Sequence, residues 1–284
     1  MDLVRPVGIE AALEARAARP DAVALSGGTD LMVDLNLDRL RPPALLDLSR
    51  VPELGGWETG DGSVRLGARL THAEVVAELS DLLPALVAAS RATGSAQIRN
   101  RGTLGGNVGT ASPSGDALCS LVAAGAEVEL ASVRGTRRLA LADFVRGPKE
   151  TAGDPDELIC ALHVPAATGP QRYAKVAARN AMVMGTCSLA VGLDPGRRGV
   201  SVAAGGASPT PVRAPAAESF AAAALDWDGL GALDDATARR FGELVVAAAD
   251  PQDDVRGTAA YRRHALAVIA RRCLAWCWEE HRCA

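Results

Sequence analysis

Apolar and polar positions along this chain change period repeatedly, from short runs of strand length to longer stretches with helical spacing. Residues 22–26 and 45–48 are predicted as strands around a helix that begins near Thr29. Residues 57–59 and 64–67, flanking Gly60-Asp61-Gly62, have the form of a hairpin. Thr71-His72-Ala73-Glu74 is a capping box, with Thr71 as N-cap and Glu74 reaching back, so His72 is an ordinary first-turn residue. Residues 84–92 predict a second helix and residues 117–124 a buried one. Strands follow at 127–131 and 158–164, with a hairpin around Arg134-Gly135-Thr136. Residues 165–170, rich in Ala, Gly and Pro, resemble a linker. Beyond them, 173–176, 187–193 and 200–205 predict an antiparallel sheet, and 236–248 and 258–278 carry helical apolar periodicity. The alanine-rich residues 214–224 are expected as a loop plus a short helix.

The order of elements implies an α+β chain in three parts: an N-terminal subdomain (1–55), a second subdomain (56–166), and a C-terminal domain of antiparallel sheet and helices (167–284). With 284 residues, 48% of them hydrophobic, the chain is long enough for two or three cores. Its net charge of −4 argues against a nucleic-acid-binding surface. No run approaches the roughly 18 apolar residues of a membrane span. Met1-Asp2-Leu3-Val4-Arg5-Pro6 has neither the basic nor the apolar region of a signal peptide. Six scattered cysteines are expected as free thiols, and the protein as cytoplasmic.

Two glycine-rich segments carry the candidate chemistry. Ser26-Gly27-Gly28-Thr29-Asp30-Leu31 joins an apolar strand to a helix, a turn suited to an anion. Residues 97–116 read Q-I-R-N-R-G-T-L-G-G-N-V-G-T-A-S-P-S-G-D. There, glycines permit close backbone approach, and Thr103, Asn107, Thr110, Ser112 and Ser114 offer short polar groups. Read as a loop, this segment supplies many N–H and hydroxyl donors, and two such segments point to a ligand with a diphosphate. Neither is G-x-G-x-x-G followed by a ribose-binding carboxylate, and neither is a phosphate-binding G-x-x-x-x-G-K-[ST] loop. Zinc-protease, serine-hydrolase and C-x2-C patterns are also missing. Cys273, Cys277 and His281 share a helix face, but ligands spaced by whole turns converge poorly on one metal, so packing is the better reading.

These two segments, in this order, resemble the FAD-binding medium subunits of the molybdenum hydroxylases, the family of xanthine and carbon monoxide dehydrogenases. The resemblance continues through 158–165, Tyr173-Ala174-Lys175-Val176-Ala177-Ala178-Arg179, residues 205–213, and 250–264, and so spans nearly the whole chain. It implies a two-subdomain FAD-binding fold of the vanillyl-alcohol-oxidase type, with a third domain closing over the flavin. It implies noncovalent FAD, with Ser26, Gly27, Gly28, Thr29, Asp30 and Leu31 on one side of the diphosphate. Thr103, Gly105, Gly106, Asn107 and Thr110 would face it from the other side. Ser112 and Asp116 are candidates for ribityl or ribose hydroxyls, since a carboxylate accepts from hydroxyls but repels phosphate.

Lys149 and Lys175 are the only lysines among 30 basic residues. Lys175 falls in the segment whose resemblance points toward the flavin. Tyr173, Lys175 and Arg179 are separated by even numbers of residues and would share one face of a strand. One positive group there would stabilise anionic reduced flavin and raise its potential, and Tyr173 would stack on the ring. The family often carries an acid just after this segment, where Asn180, Ala181 and Met182 stand here. Resemblance further implies an iron–sulfur partner, a molybdopterin partner, and NAD or another acceptor, most closely in the xanthine dehydrogenase pattern. Carbon monoxide or aldehyde dehydrogenase flavoproteins are the alternative within the family. A self-contained FAD oxidoreductase would add a substrate domain or an acid–base cluster, and the chain shows neither. The helix end at Trp276 and Trp278 suits either docking or core packing.

Overall fold

The computed structural model describes residues 1–284. β1 (Asp2–Val4), α1 (Ile9–Ala18), β2 (Val23–Leu25), α2 (Leu31–Asn36) and β3 (Ala44–Asp47) make the first unit. Its strands are parallel in the order β1-β3-β2. Central β3 is covered on both faces, so Ala44, Leu45 and Leu46 are all buried. Sequence reasoning located β2, β3 and α2 but missed β1 and α1. Three residues are too few to display alternation, and α1 buries only Ala12 among alanines, glutamates and arginines.

The second unit opens with the expected hairpin of β4 (Trp57–Gly60) and β5 (Ser63–Gly67). α3 (His72–Glu78) starts from the Thr71 capping box, with both of its hydrogen bonds formed. Then come α4 (Pro84–Ala92), α5 (Ala96–Arg99), α6 (Leu104–Thr110) and α7 (Asp116–Ala123). β6 (Glu127–Ser132), β7 (Gly135–Ala140), α8 (Leu141–Phe144), the small β8 (Val145–Gly147)–β9 (Glu150–Thr151) hairpin and β10 (Leu158–Pro165) complete it. The antiparallel sheet runs β4-β5-β10-β6-β7.

Strand β10 serves two cores. Leu162 and Val164 pack under α3, α4, α6 and α7, whereas Leu158 and Cys160 face the first unit. All four have even numbers and would share one face of a regular strand. A bulge between Ile159 and Ala161 inserts the extra residue that turns the strand over.

β11 (Gln171–Val176), β12 (Cys187–Asp194), β13 (Gly199–Gly205) and β14 (Val212–Arg213) form the third sheet, antiparallel in that order as expected. α9 (Pro215–Ala224), α10 (Asp235–Ala248) and α11 (Ala259–Arg282) cover one face, and the wholly buried α7 covers the other. Residues 214–224 are therefore mostly one ten-residue helix rather than loop plus short helix. The Cys273/Cys277/His281 stripe is packing. Both thiols lie in the core, and the His281 ring sits 5.4 Å from that of Trp278 and 5.8 Å from that of Trp227. The two tryptophans at the helix end divide, Trp278 being buried and Trp276 exposed. No helix is long and apolar enough to cross a membrane.

Candidate functional site

The two glycine segments meet face to face. A Cβ on Gly27 would fall 2.0 Å from the Arg101 carbonyl oxygen, so only glycine allows this approach. Thr103 Oγ1 donates to Ser26 Oγ at 3.3 Å, and Thr110 Oγ1 donates to Asp30 Oδ2 at 3.2 Å. Between them opens an elongated cavity of about 860 Å³, walled by all three units. Its lining includes Arg16 and Val23 from the first unit and Met182, Val183 and Met184 from the third. Every expected residue from Ser26 to Leu31, together with Thr103, Gly105, Gly106, Asn107, Thr110, Ser112 and Asp116, lines it.

The two segments contribute differently from what their sequences suggest. Residues 97–116 are not one donor-rich loop but include two short helices, α5 and α6, with Thr103 capping α6. The N–H groups of Leu104, Gly105, Gly106 and Asn107 are spent on Leu70 O, Ala68 O, Thr103 Oγ1 and Thr103 O. Gly105 is glycine because a Cβ would meet Ala68 at 2.7 Å. The open backbone donors belong instead to the other segment. Gly27, Gly28, Thr29, Asp30 and Leu31 donate no hydrogen bond from the main chain, and Gly28 makes the turn at φ +77°. Opposite them, Asn107 Oδ1 is buried without a partner, an orphan of the kind a ligand commonly satisfies.

Tyr173 and Lys175 do share one face of β11, but that face meets Asp116 and not the large cavity. Tyr173 donates its hydroxyl proton to Asp116 Oδ1 at 2.5 Å. Lys175 Nζ donates to Asp116 Oδ2 at 2.9 Å, Ala92 O at 2.8 Å and Val183 O at 3.3 Å. All three ammonium protons are thus engaged, and its charge faces a carboxylate. The expectation of a free cation beside the flavin and a tyrosine stacked on it is corrected accordingly. Burial pushes the Asp116 carboxyl up, against the opposing pull of Lys175 and Tyr173. Burial likewise raises Tyr173 well above the ordinary phenol. Arg179 lies beyond the end of β11, where it donates to the Ala181 and Met182 carbonyls, so even spacing does not place it on the strand face. The three residues border a separate cavity of about 410 Å³.

His72 is buried and hydrogen-bonded to Ser90 at 3.1 Å, as a structural residue should be. Burial holds its imidazole down at about 4, with the nearby Arg99 charge adding to the effect. Sequence reasoning missed the elements that close the cavity. Lys149, at the tip of the β8–β9 hairpin, bridges to Asp34 of α2 at 2.8 Å, and its rarity as a lysine was the one available signal. Arg256 donates to Ser114 Oγ at 2.5 Å, and the Gly206 N–H donates to Pro113 O at 2.7 Å. Buried Arg262 donates to Thr186 O at 2.7 Å and also to Gly206 O and Asp254. These bonds fix the 112–116 turn against the third unit.

Comparison with known proteins agrees with this geometry. A model of the FAD binding domain in molybdopterin dehydrogenase matches residues 1–167, and one of the CO dehydrogenase flavoprotein C-terminal domain matches residues 172–277. The chain is 30% identical over 273 residues to the putative xanthine dehydrogenase FAD-binding subunit of Escherichia coli K12, covering 92% of this chain and 90% of that one. It is also 30% identical to the nicotine 6-hydroxylase medium subunit of Paenarthrobacter nicotinovorans, covering 94% and 93%. A chain of carbon monoxide dehydrogenase from Hydrogenophaga pseudoflava superposes with a TM-score of 0.90 at 26% identity, covering 100% of this chain and 98% of that one. With both family models matched in order along its length, the chain belongs to the FAD-binding subunits of the molybdenum hydroxylases, an oxidoreductase family.

Proposed function

We propose that this chain holds FAD noncovalently between Ser26–Leu31 and Thr103–Asp116, and relays electrons within a xanthine dehydrogenase-like complex. A molybdopterin subunit would oxidise the substrate, an iron–sulfur subunit would deliver the electrons, and NAD or another diffusible acceptor would remove them. The observation that carries this reading is the row of unspent N–H donors from Gly27 to Leu31, facing Thr103 and Asn107 across the cavity. The xanthine dehydrogenase subunit among the relatives supports the choice within the family.

The lining fits the cofactor. A cavity of about 860 Å³ is in the range that encloses a ligand of this size. Five main-chain donors suit two phosphates without a cation, and the orphaned Asn107 Oδ1 suits a hydroxyl donor. When bound, FAD supplies two-electron chemistry that the side chains themselves lack. The chain's own residues do the holding. Gly27 and Gly105 let the two segments close on each other, Thr103 and Thr110 tie them together, and Lys149 with Asp34 clasps the cleft from outside. Tyr173 and Lys175 hold Asp116 from outside the cavity that it lines, where ribityl hydroxyls would lie against its remaining lone pairs. In this arrangement residues 1–55 and 56–166 bind the cofactor and residues 167–284 close over it.

Flavin released by heat from the purified full-length chain and separated by chromatography tests the assignment. FAD is the expected product. A colourless protein, or one that releases FMN, would overturn it.

A further inference from the structure

We propose that Arg16 holds the adenine ring of the dinucleotide and makes the site select FAD over FMN. The inference rests on the reading of the cavity as an FAD site and assigns one part of it. Arg16 stands in the last turn of α1, lines the cavity, and forms no ion pair. Its Nη1 donates to Ala22 O at 2.5 Å, whereas Nε is buried without a partner and Nη2 makes no hydrogen bond to protein. A buried guanidinium N–H without an acceptor is costly unless something else in the cavity accepts from it. Burial accordingly lowers the Arg16 pKa, although the Asp156 charge opposes this.

Phosphate is not the matching group. Arg16 is anchored at Ala22, and the open donors begin at Gly27, on the far side of β2. The three extended residues of β2 alone set the two points about 10 Å apart. Arg16 therefore serves a part of the cavity set apart from the diphosphate donors by the length of β2. Asp156, whose charge acts on Arg16, is already paired with Arg134, and the carboxylates that line the cavity nearby in sequence are engaged too. Glu157 accepts from Arg137 at 2.6 Å and from the Asp154 N–H at 2.7 Å, and Asp154 pairs with Arg134 at 3.3 Å. Apolar Val23, Leu25 and Leu158 line the same cavity. A flat, uncharged ring with acceptor nitrogens suits such a place, because a guanidinium both donates to those nitrogens and stacks on a π face. Adenine is the part of FAD with that chemistry, and FMN lacks it.

The test is fluorescence titration of the full-length chain, stripped of flavin, with FAD and with FMN. Arg16→Met removes the guanidinium. Arg16→Lys keeps a charged donor that extends toward Ala22 O but has neither the planar guanidinium nor its Nε–H, and so guards against a variant that merely loosens α1. Both variants are expected to bind FAD about tenfold more weakly than wild type, the loss of one charge-assisted contact, and to bind FMN within about twofold of wild type. An unchanged ratio of FAD to FMN affinity in both variants would overturn the inference, and so would an equal loss for both flavins, which marks a phosphate or folding role. Wild-type protein that binds neither flavin would instead overturn the underlying reading.

Discussion

Lys175 Nζ lies 2.9 Å from Asp116 Oδ2, joining the first strand of the C-terminal sheet to the first residue of α7. Both side chains are nearly enclosed, at 11% and 10% exposure, so water screens the pair little. Removing one member of such a pair leaves a buried charge without its partner. Lys175→Met is expected to destabilise the chain by about 3 kcal/mol, which thermal denaturation would measure. The deficit should depend on pH. Asp116 is an acid whose folded pKa is raised, so the folded state holds its proton more tightly than the unfolded state and this group's contribution falls as pH rises through that pKa. Without Lys175 the carboxyl rises further, and the variant should recover toward wild type as the pH is lowered from neutral. A deficit that is constant with pH would contradict the assignment of the charge.

Gly27→Ala places a methyl against the Arg101 carbonyl, and backbone on both sides must move to accept it. We expect a loss of about 2–3 kcal/mol together with a sharp fall in co-purifying FAD. Thr103→Ala removes the α6 cap and the contact to Ser26, at about 1 kcal/mol, and Thr103→Ser should restore both. Flavin-to-protein absorbance ratios distinguish the two cases, with Gly27→Ala the more depleted.

His72 gives the chain a sensitivity to acid. Its folded pKa of about 4 lies below the unfolded value near 6.5, so its contribution is fully present above 6.5 and drains away as pH falls toward 4. A His72→Gln variant keeps a polar group near Ser90 without the titration. Its melting temperature should fall less steeply over that interval than that of the wild type.

Much of this architecture is written in local patterns. The Thr71–Glu74 capping box, the β11–β12–β13 sheet and the two glycine segments each depend on residues close together in sequence, and their physical cause can be read there. What escaped depends on distant partners. Nothing within residues 97–116 reveals that the N–H groups of Leu104 and Gly105 are taken by Leu70 and Ala68. The even spacing of Tyr173 and Lys175 correctly placed them on one face, but only the fold reveals Asp116 as the group they meet. Arg179 failed for a simpler reason, because β11 ends at Val176 and parity has no meaning beyond it. Parity fails again in β10, where the bulge between Ile159 and Ala161 sends residues of equal parity to opposite cores.

The thiols should separate cleanly in alkylation. Cys119 and Cys273 are buried and pushed up to about 12, Cys160 and Cys187 to about 11, and Cys277 higher still, all chiefly by burial. Cys283 alone is exposed. Iodoacetamide at mildly alkaline pH is expected to modify Cys283 only in the native chain and all six thiols after denaturation, as mass spectrometry would record. Rapid native modification of Cys273 or Cys277 would contradict the packing of α11.

The central claim is that this chain is an electron-relaying flavoprotein whose substrate is oxidised elsewhere. Its most direct test is anaerobic addition of xanthine to the FAD-loaded chain, alone and after assembly with the proposed iron–sulfur and molybdopterin subunits, while visible flavin absorbance is followed. The account predicts no bleaching with the isolated chain and full bleaching in the assembly, reversed by NAD or an artificial acceptor. Bleaching and xanthine oxidation by the isolated chain would contradict it.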